Sequence, residues 1–250
     1  MRGRRCHSDA MSGAATFDFA GERFVMLADR ALFWPARGAL IVADLHLEKA
    51  SWYAAYGQPL PPYDSHDTLD RLAGLAAATG AGAIWCLGDS FHDRDAAARI
   101  VPAIADRLER QAAAAKLVWI AGNHDGLTAG AWGGEVADEW IQNGIVFRHQ
   151  SRADEARPEI SGHFHPKLRL SLRGRGVSRP CFASDATRLI LPAFGSFTGG
   201  LDVEDAAIAA NFSGPYRAML VARGRLLSLP CGGAAENNAT AGVSAAANRR

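Results

Sequence analysis

With 250 residues, 48% of them hydrophobic, and a formal net charge of +1, the chain can bury one sizeable core and carries no overall field that would draw it onto nucleic acid or an anionic membrane. Its four cysteines lack any CxxC spacing, which argues against a zinc knuckle or a disulfide framework and fits a reducing, cytoplasmic setting. No apolar run approaches the roughly eighteen residues that span a bilayer, so no membrane partner is expected.

Residues 1–15 are basic but lack the apolar stretch of a secretory signal, and they read as a disordered lead with Met11 as an alternative start. Residues 232–250 are small and polar and read as a disordered tail. The body, 16–231, reads as one domain. Short apolar runs at 39–43, 83–87, 116–121 and 144–148 suit buried strands. Between them, Leu69, Leu72 and Leu75 share a face of a predicted helix over 65–78, with Asp64 or Ser65 available as its N-cap. A second helical pattern, 94–114, must kink or restart at Pro102. This β-α-β-α-β alternation predicts parallel strands. Beyond about residue 138 the pattern turns β-rich, with a hairpin through Asn143-Gly144 and strands at 159–161, 167–173, 179–183, 187–191, 217–222 and 225–229. A second, mixed sheet packed on the first is expected.

The strand ends share one chemistry. The successive runs finish in Asp44-Leu45-His46, Gly88-Asp89, Gly122-Asn123-His124-Asp125, His149 and Gly162-His163-Phe164-His165. In open α/β sheets the cleft lies beyond the carboxyl ends of the strands, so these groups should converge. In extended chain, residues two apart point the same way, which would let Asp44 act with His46 and His163 with His165. The glycines at 88, 122 and 162 let the chain turn without a Cβ in the cleft. Two Asp, one Asn and four His, with His124 held aside, are too many ligands for one tetrahedral zinc. They suit two five- or six-coordinate divalent metals sharing a carboxylate, with Asp89 as the natural bridge. Taken singly, a D-x-H can be a cap beside a satisfied imidazole, and a strand-end Asn-His can simply make a turn.

The series D-x-H, GD, GNHD, H and GHxH resembles that of the calcineurin-like metallophosphoesterases over about residues 38–170. The resemblance implies a four-layer α-β-β-α sandwich with two mixed sheets and a dinuclear centre between them. Asp44, His46 and His165 would hold one metal, Asn123, His149 and His163 the other, and Asp89 would bridge. "ADLHLEK" (43–49), "LGDSFHD" (87–93), "SGHFHPK" (161–167) and "LPAFGSFTGGLDV" (191–203) are similar to one bacterial subfamily, the ligase-associated DNA damage response endonucleases, or PdeM group, typically encoded beside a DNA ligase and a helicase. One departure is Gln150 after His149, where many superfamily members carry Gly or Glu. The expected cofactor is a pair of divalent ions: manganese first, iron or zinc as alternatives.

The expected function is a dinuclear-metal phosphodiesterase acting on DNA in repair. A phosphatase or small-nucleotide hydrolase is the enzymatic alternative, and a protein-binding scaffold the non-catalytic one. His124, the catalytic candidate, would donate a hydrogen bond to the phosphoryl oxygen or a proton to the leaving alkoxide. Asp125 would orient an imidazole or stabilise the turn. His92, Lys49 and Lys167 are candidate substrate contacts. Trp52, Tyr53, Tyr56, Arg148, Arg152, Arg169, Arg173 and Arg175 are candidate nucleic-acid contacts.

Overall fold

The computed structural model describes residues 13–125, 129–172 and 174–232. The rest of the lead and tail, and Arg173, lie outside the described residues. The first sheet takes its seven strands in chain order: β1 (Ala14–Phe19), β2 (Glu22–Leu27), β3 (Ala31–Trp34), β4 (Ala39–Val42), β5 (Ala83–Leu87), β6 (Lys116–Ile120) and β7 (Glu135–Ala137). β1 to β4 form an antiparallel meander that the sequence reading did not anticipate, and Ala14 and Ala15, assigned there to the lead, already belong to β1. From β4 to β7 every pairing is parallel. The intervening helices are α1 (Lys49–Ala55), α2 (Asp64–Thr79), α3 (Ala96–Arg99) and α4 (Pro102–Ala114), and Pro102 opens α4 as its pattern requires.

The continuous apolar runs follow from burial on both faces. Leu40, Val42, Ile84, Cys86, Leu117 and Trp119 pack with Leu69, Leu72 and Leu75 of α2 and with Ile104 and Leu108 of α4. The alternate residues Ile41, Trp85, Leu87, Val118 and Ile120 face Phe147, Ile160, Leu189 and Met219 of the second sheet. Each such buried aliphatic side chain contributes on the order of 1.5–3 kcal/mol.

The second sheet comprises β8 (Glu139–Gln142), β9 (Ile145–Arg148), β10 (Glu159–Ser161), β13 (Phe182–Ser184), β14 (Arg188–Ile190), β15 (Tyr216–Ala222) and β16 (Arg225–Cys231), while β11 (Lys167–Leu172) and β12 (Arg175–Pro180) pair as a separate hairpin. The order is β16-β15-β13-β14-β10-β9-β8. The single strand expected over 179–183 is split: β12 belongs to the hairpin and β13 to the sheet. Beyond this sheet lies a thin layer built on the one-turn helix α5 (Ala206–Ala209) and Phe212. The architecture is thus a four-layer α-β-β-α sandwich with two mixed sheets.

Asp64 and Ser65 do not cap their own helix. Asp64 Oδ2 accepts from Ala50 N at 2.9 Å, and Ser65 Oγ accepts from Glu48 N at 2.9 Å, so both cap the start of α1. Tertiary contact redirects the side chains of a good local cap to a helix that has none of its own.

Arg148 is also not where the sequence reading puts it. It is buried among carboxylates, with Nη2 3.0 Å from Glu139 and 2.7 Å from Glu155, and Nη1 3.1 Å from Glu159. Arg188 reaches the same Glu159 at 3.7 Å. A nucleic-acid contact by Arg148 is therefore corrected to a structural role. Glu159 is fully buried. Glu159→Ala would remove the buried carboxylate that Arg148 and Arg188 share, and a loss of about 3–5 kcal/mol in urea unfolding is expected. A change under about 1 kcal/mol would show that the other two carboxylates carry the network.

Candidate functional site

The two sheets bring their strand ends to one point, but not through extended chain. Asp44, His46, Asp89, His163 and His165 all have positive φ, between 45° and 73°. In each D-x-H or H-x-H pair both outer residues are left-handed, which turns both side chains inward, where the sequence reading expected plain pleat. A non-glycine residue in this region costs about 1–2 kcal/mol, and strain concentrated in five candidate ligands marks a functional site rather than a fold requirement.

Hydrogen bonds continue past the strands to hold this backbone. Asp44 N donates to Gly88 O at 3.1 Å and His46 N to Asp89 O at 2.9 Å. His163 N donates to the Asp44 carboxylate at 3.0 Å, and His124 N donates to Asp89 Oδ1 at 3.0 Å. Close approach requires glycine at these turns. A Cβ on Gly88 would lie 2.3 Å from the His149 ring, and one on Gly122 2.1 Å from Asp89 N.

Two donor sets result: Asp44, His46 and His165, and Asp89, His149 and His163. In the first, His46 Nε2 lies 3.3 Å from His165 Nε2, which is 3.3 Å from Asp44 Oδ1. In the second, His149 Nε2 lies 3.0 Å from His163 Nδ1 and 3.4 Å from Asp89 Oδ2. Asn123 Oδ1 joins it, 2.8 Å from His149 Nε2. Ligand bonds of about 2.0–2.1 Å meeting at 90–110° place neighbouring donors about 2.9–3.4 Å apart. The donor spacing therefore fits divalent cations. The nitrogen and carboxylate chemistry fits them as well.

Electrostatics agree. Burial holds His46 down at about 4, against the pull of Asp44, so its imidazole is neutral with a free lone pair at pH 7. Burial would also lower His149, but its hydrogen bond to Asp89 and the charges of Asp44 and Asp89 outweigh that and hold it up at about 9. Its Nδ1 sits 3.1 Å from Leu87 O, leaving Nε2 toward the centre. A cation must therefore displace the His149 proton at neutral pH. Apparent metal affinity is expected to rise about tenfold per pH unit up to about 9 and then level, with one proton released per cation taken at this ligand. Calorimetric titration in buffers of differing ionisation heat counts that proton. Uptake without release would mean that His149 is already neutral.

The remaining candidates lie around these sets. His124 is outside both. Its side chain is 46% exposed, with Nε2 3.9 Å from Asp89 Oδ2. Asp125 is fully buried and bonds Phe91 N at 2.8 Å and Gly122 N at 2.9 Å, so it ties two strand-end loops together and orients no imidazole. His92 stacks parallel to His124 at 6.3 Å and packs 5.7 Å from His46. Lys49 is partly buried at the start of α1, and Lys167 Nζ donates to Thr198 O at 3.2 Å. No motif marks two further residues that brace the centre. Arg30 Nη1 donates to Ala193 O and Gly195 O at 3.1 and 3.2 Å, and Arg71 bonds Phe194 O. The segment they pin backs the first set, with Gly195 N donating to Asp44 O at 3.0 Å.

A family model described as calcineurin-like phosphoesterase matches residues 39–174, more than half of the chain. The chain belongs to the calcineurin-like phosphoesterases. This phosphoesterase is similar to a solved structure, the nuclease MPE of Pseudomonas putida, at 34% identity and a TM-score of 0.68, covering 86% of this chain and 100% of that one. No curated protein matches it. As a calcineurin-like phosphoesterase it is a metal-dependent hydrolase of phosphoric esters, and the matched segment holds both donor sets.

Proposed function

We propose that this phosphoesterase is a dinuclear-metal phosphodiesterase that cleaves DNA in repair. Asp44, His46 and His165 hold one cation and Asn123, His149 and His163 the other, with Asp89 bridging. Manganese is the proposed metal. When bound, two such cations supply Lewis-acid charge against phosphoryl oxygens and acidify a water. The chain's own residues do the rest. Asp44 and Asp89 present fixed carboxylates, oriented by the His163 and His124 backbone amides. His124 stands half-exposed over the centre and delivers a proton from its ring to the leaving alkoxide. Lys49, Lys167 and His92 border the centre and contact the substrate phosphates.

The observation that carries this reading is the pair of donor sets, joined by Asn123, converging from five strand ends, with the half-exposed His124 imidazole beside Asp89 and outside them. The likeness to the nuclease MPE of Pseudomonas putida supports a polynucleotide substrate, and the PdeM-like motifs support a repair context beside a DNA ligase and a helicase. A single catalytic domain over 14–231 and a cytoplasmic location complete the proposal. Among the described residues, no helix is long and apolar enough to cross a membrane.

Metal-reconstituted protein should cleave bis-p-nitrophenyl phosphate and DNA and leave p-nitrophenyl phosphate largely intact. Dominant monoesterase activity would replace this reading with a phosphatase.

A further inference from the structure

The donor sets leave a cluster of rings beside the centre unaccounted for. Trp52 and Tyr53 stand on α1, a seven-residue helix whose only buried residue is Ala50, and Tyr56 follows as its C-cap. None of the three joins a core cluster. Tyr56 is 67% exposed. Aromatic side chains gain stability mainly through burial, so the core does not account for these three.

The rings form a path. Centroids run from His46 to His92 at 5.7 Å, from His92 to Trp52 at 5.1 Å and from Trp52 to Tyr56 at 4.6 Å. It begins at a metal-donor histidine that is buried and ends in solvent. A cation lies alongside, with Lys49 Nζ 5.9 Å from the Tyr53 ring. The helix carrying the path is anchored: Asp64 caps its start, and Ser51 Oγ accepts from Arg99 Nε at 3.2 Å. Arg99 is paired in turn with Asp93, in the segment that follows Asp89.

We infer that Trp52 and Tyr56 form a stacking platform for an unpaired nucleobase next to the scissile phosphate, with Lys49 beside the strand's backbone. This rests on the reading of the chain as a DNA phosphodiesterase and names the side chains with which the site recognises its strand. Every base has a π-face, so such a platform is tolerant of sequence. Bases inside a duplex have their faces covered, so it selects strands with exposed bases.

The test uses the full-length, metal-loaded protein and a phosphorothioate-linked oligothymidylate, which resists cleavage. Tyr56→Ala is expected to weaken binding about 5- to 150-fold by anisotropy, the range for one lost stacking partner. Exposure of Tyr56 makes loss of fold an improbable confusion, and an unchanged melting temperature checks it. The oligomer is expected to quench wild-type tryptophan emission, with the quench lost in Trp52→Phe. A strand carrying abasic residues should bind wild type and Tyr56→Ala equally. Unchanged thymidylate binding in both variants, or equal quenching by duplex, would overturn the platform. If wild type neither binds nor cleaves DNA but the dinucleotide TpT still quenches through Trp52, the platform stands and the DNA reading falls.

Discussion

His124→Ala is expected to lower turnover on DNA by about a hundred- to ten-thousand-fold, the usual contribution of a positioned general acid, while both cations stay bound. The separation follows from the geometry. The His124 ring lies outside both donor sets and is half-exposed, so its removal opens no cavity and strips no ligand. Its backbone amide, which donates to Asp89 Oδ1 at 3.0 Å, survives in the variant. The loss should also depend on the leaving group. A nitrophenolate departs without a proton, whereas the alkoxide of a DNA sugar needs one, so the defect on bis-p-nitrophenyl phosphate should be smaller than on DNA. Metal analysis and paired kinetics decide it. Equal defects on the two substrates would make His124 a phosphate contact rather than a proton donor, and loss of metal would make it a ligand.

Asp89→Asn is expected to empty at least one metal position and to lower activity about a thousandfold or more, since the Lewis-acid charge on a phosphoryl oxygen is worth several kcal/mol. Asparagine is the informative replacement. It keeps an oxygen to accept from His124 N, and it tolerates the left-handed backbone of residue 89, whose φ is 46°. Only the charge is lost. That charge is present at neutral pH, because the hydrogen bond and charge of His149 outweigh burial and hold the Asp89 carboxyl down at about 2. Without it His149 loses the Asp89 contributions that raise it, and its affinity for a proton falls, so proton release on metal uptake should shrink together with metal content. Two tightly bound ions per Asp89→Asn chain would remove Asp89 from the bridge.

The residues that meet at the centre were legible because their signal is local. Short apolar runs buried on both faces read as strands, and although an Asp, Asn or His after any one of them has other uses, five such ends in one order point to a shared cleft. The division near residue 138 was legible too, because β8 and β9 are joined by Asn143-Gly144, whose backbone has positive φ at both positions, as a tight hairpin demands. The β1–β3 meander was not. Its strands mix Asp18, Glu22 and Arg23 with apolar residues and pair only with neighbours or with β4, so their identity as strands depends on the sheet they extend.

What the tertiary structure alone decided are the features that depend on partners far along the chain. Asp64 and Ser65 are good local caps diverted to α1, because the unpaired amides of Glu48 and Ala50 lie beside them only after folding. Arg148 reads as a surface cation until Glu139, Glu155 and Glu159 enclose it. Adjacent residues His124 and Asp125 part company, one half-exposed over the centre and the other fully buried behind it. Residue type and strand position chose which groups would reach the site. Backbone strain, burial and long-range pairing set how they stand in it, because each is a property of the assembled sandwich and of no single segment.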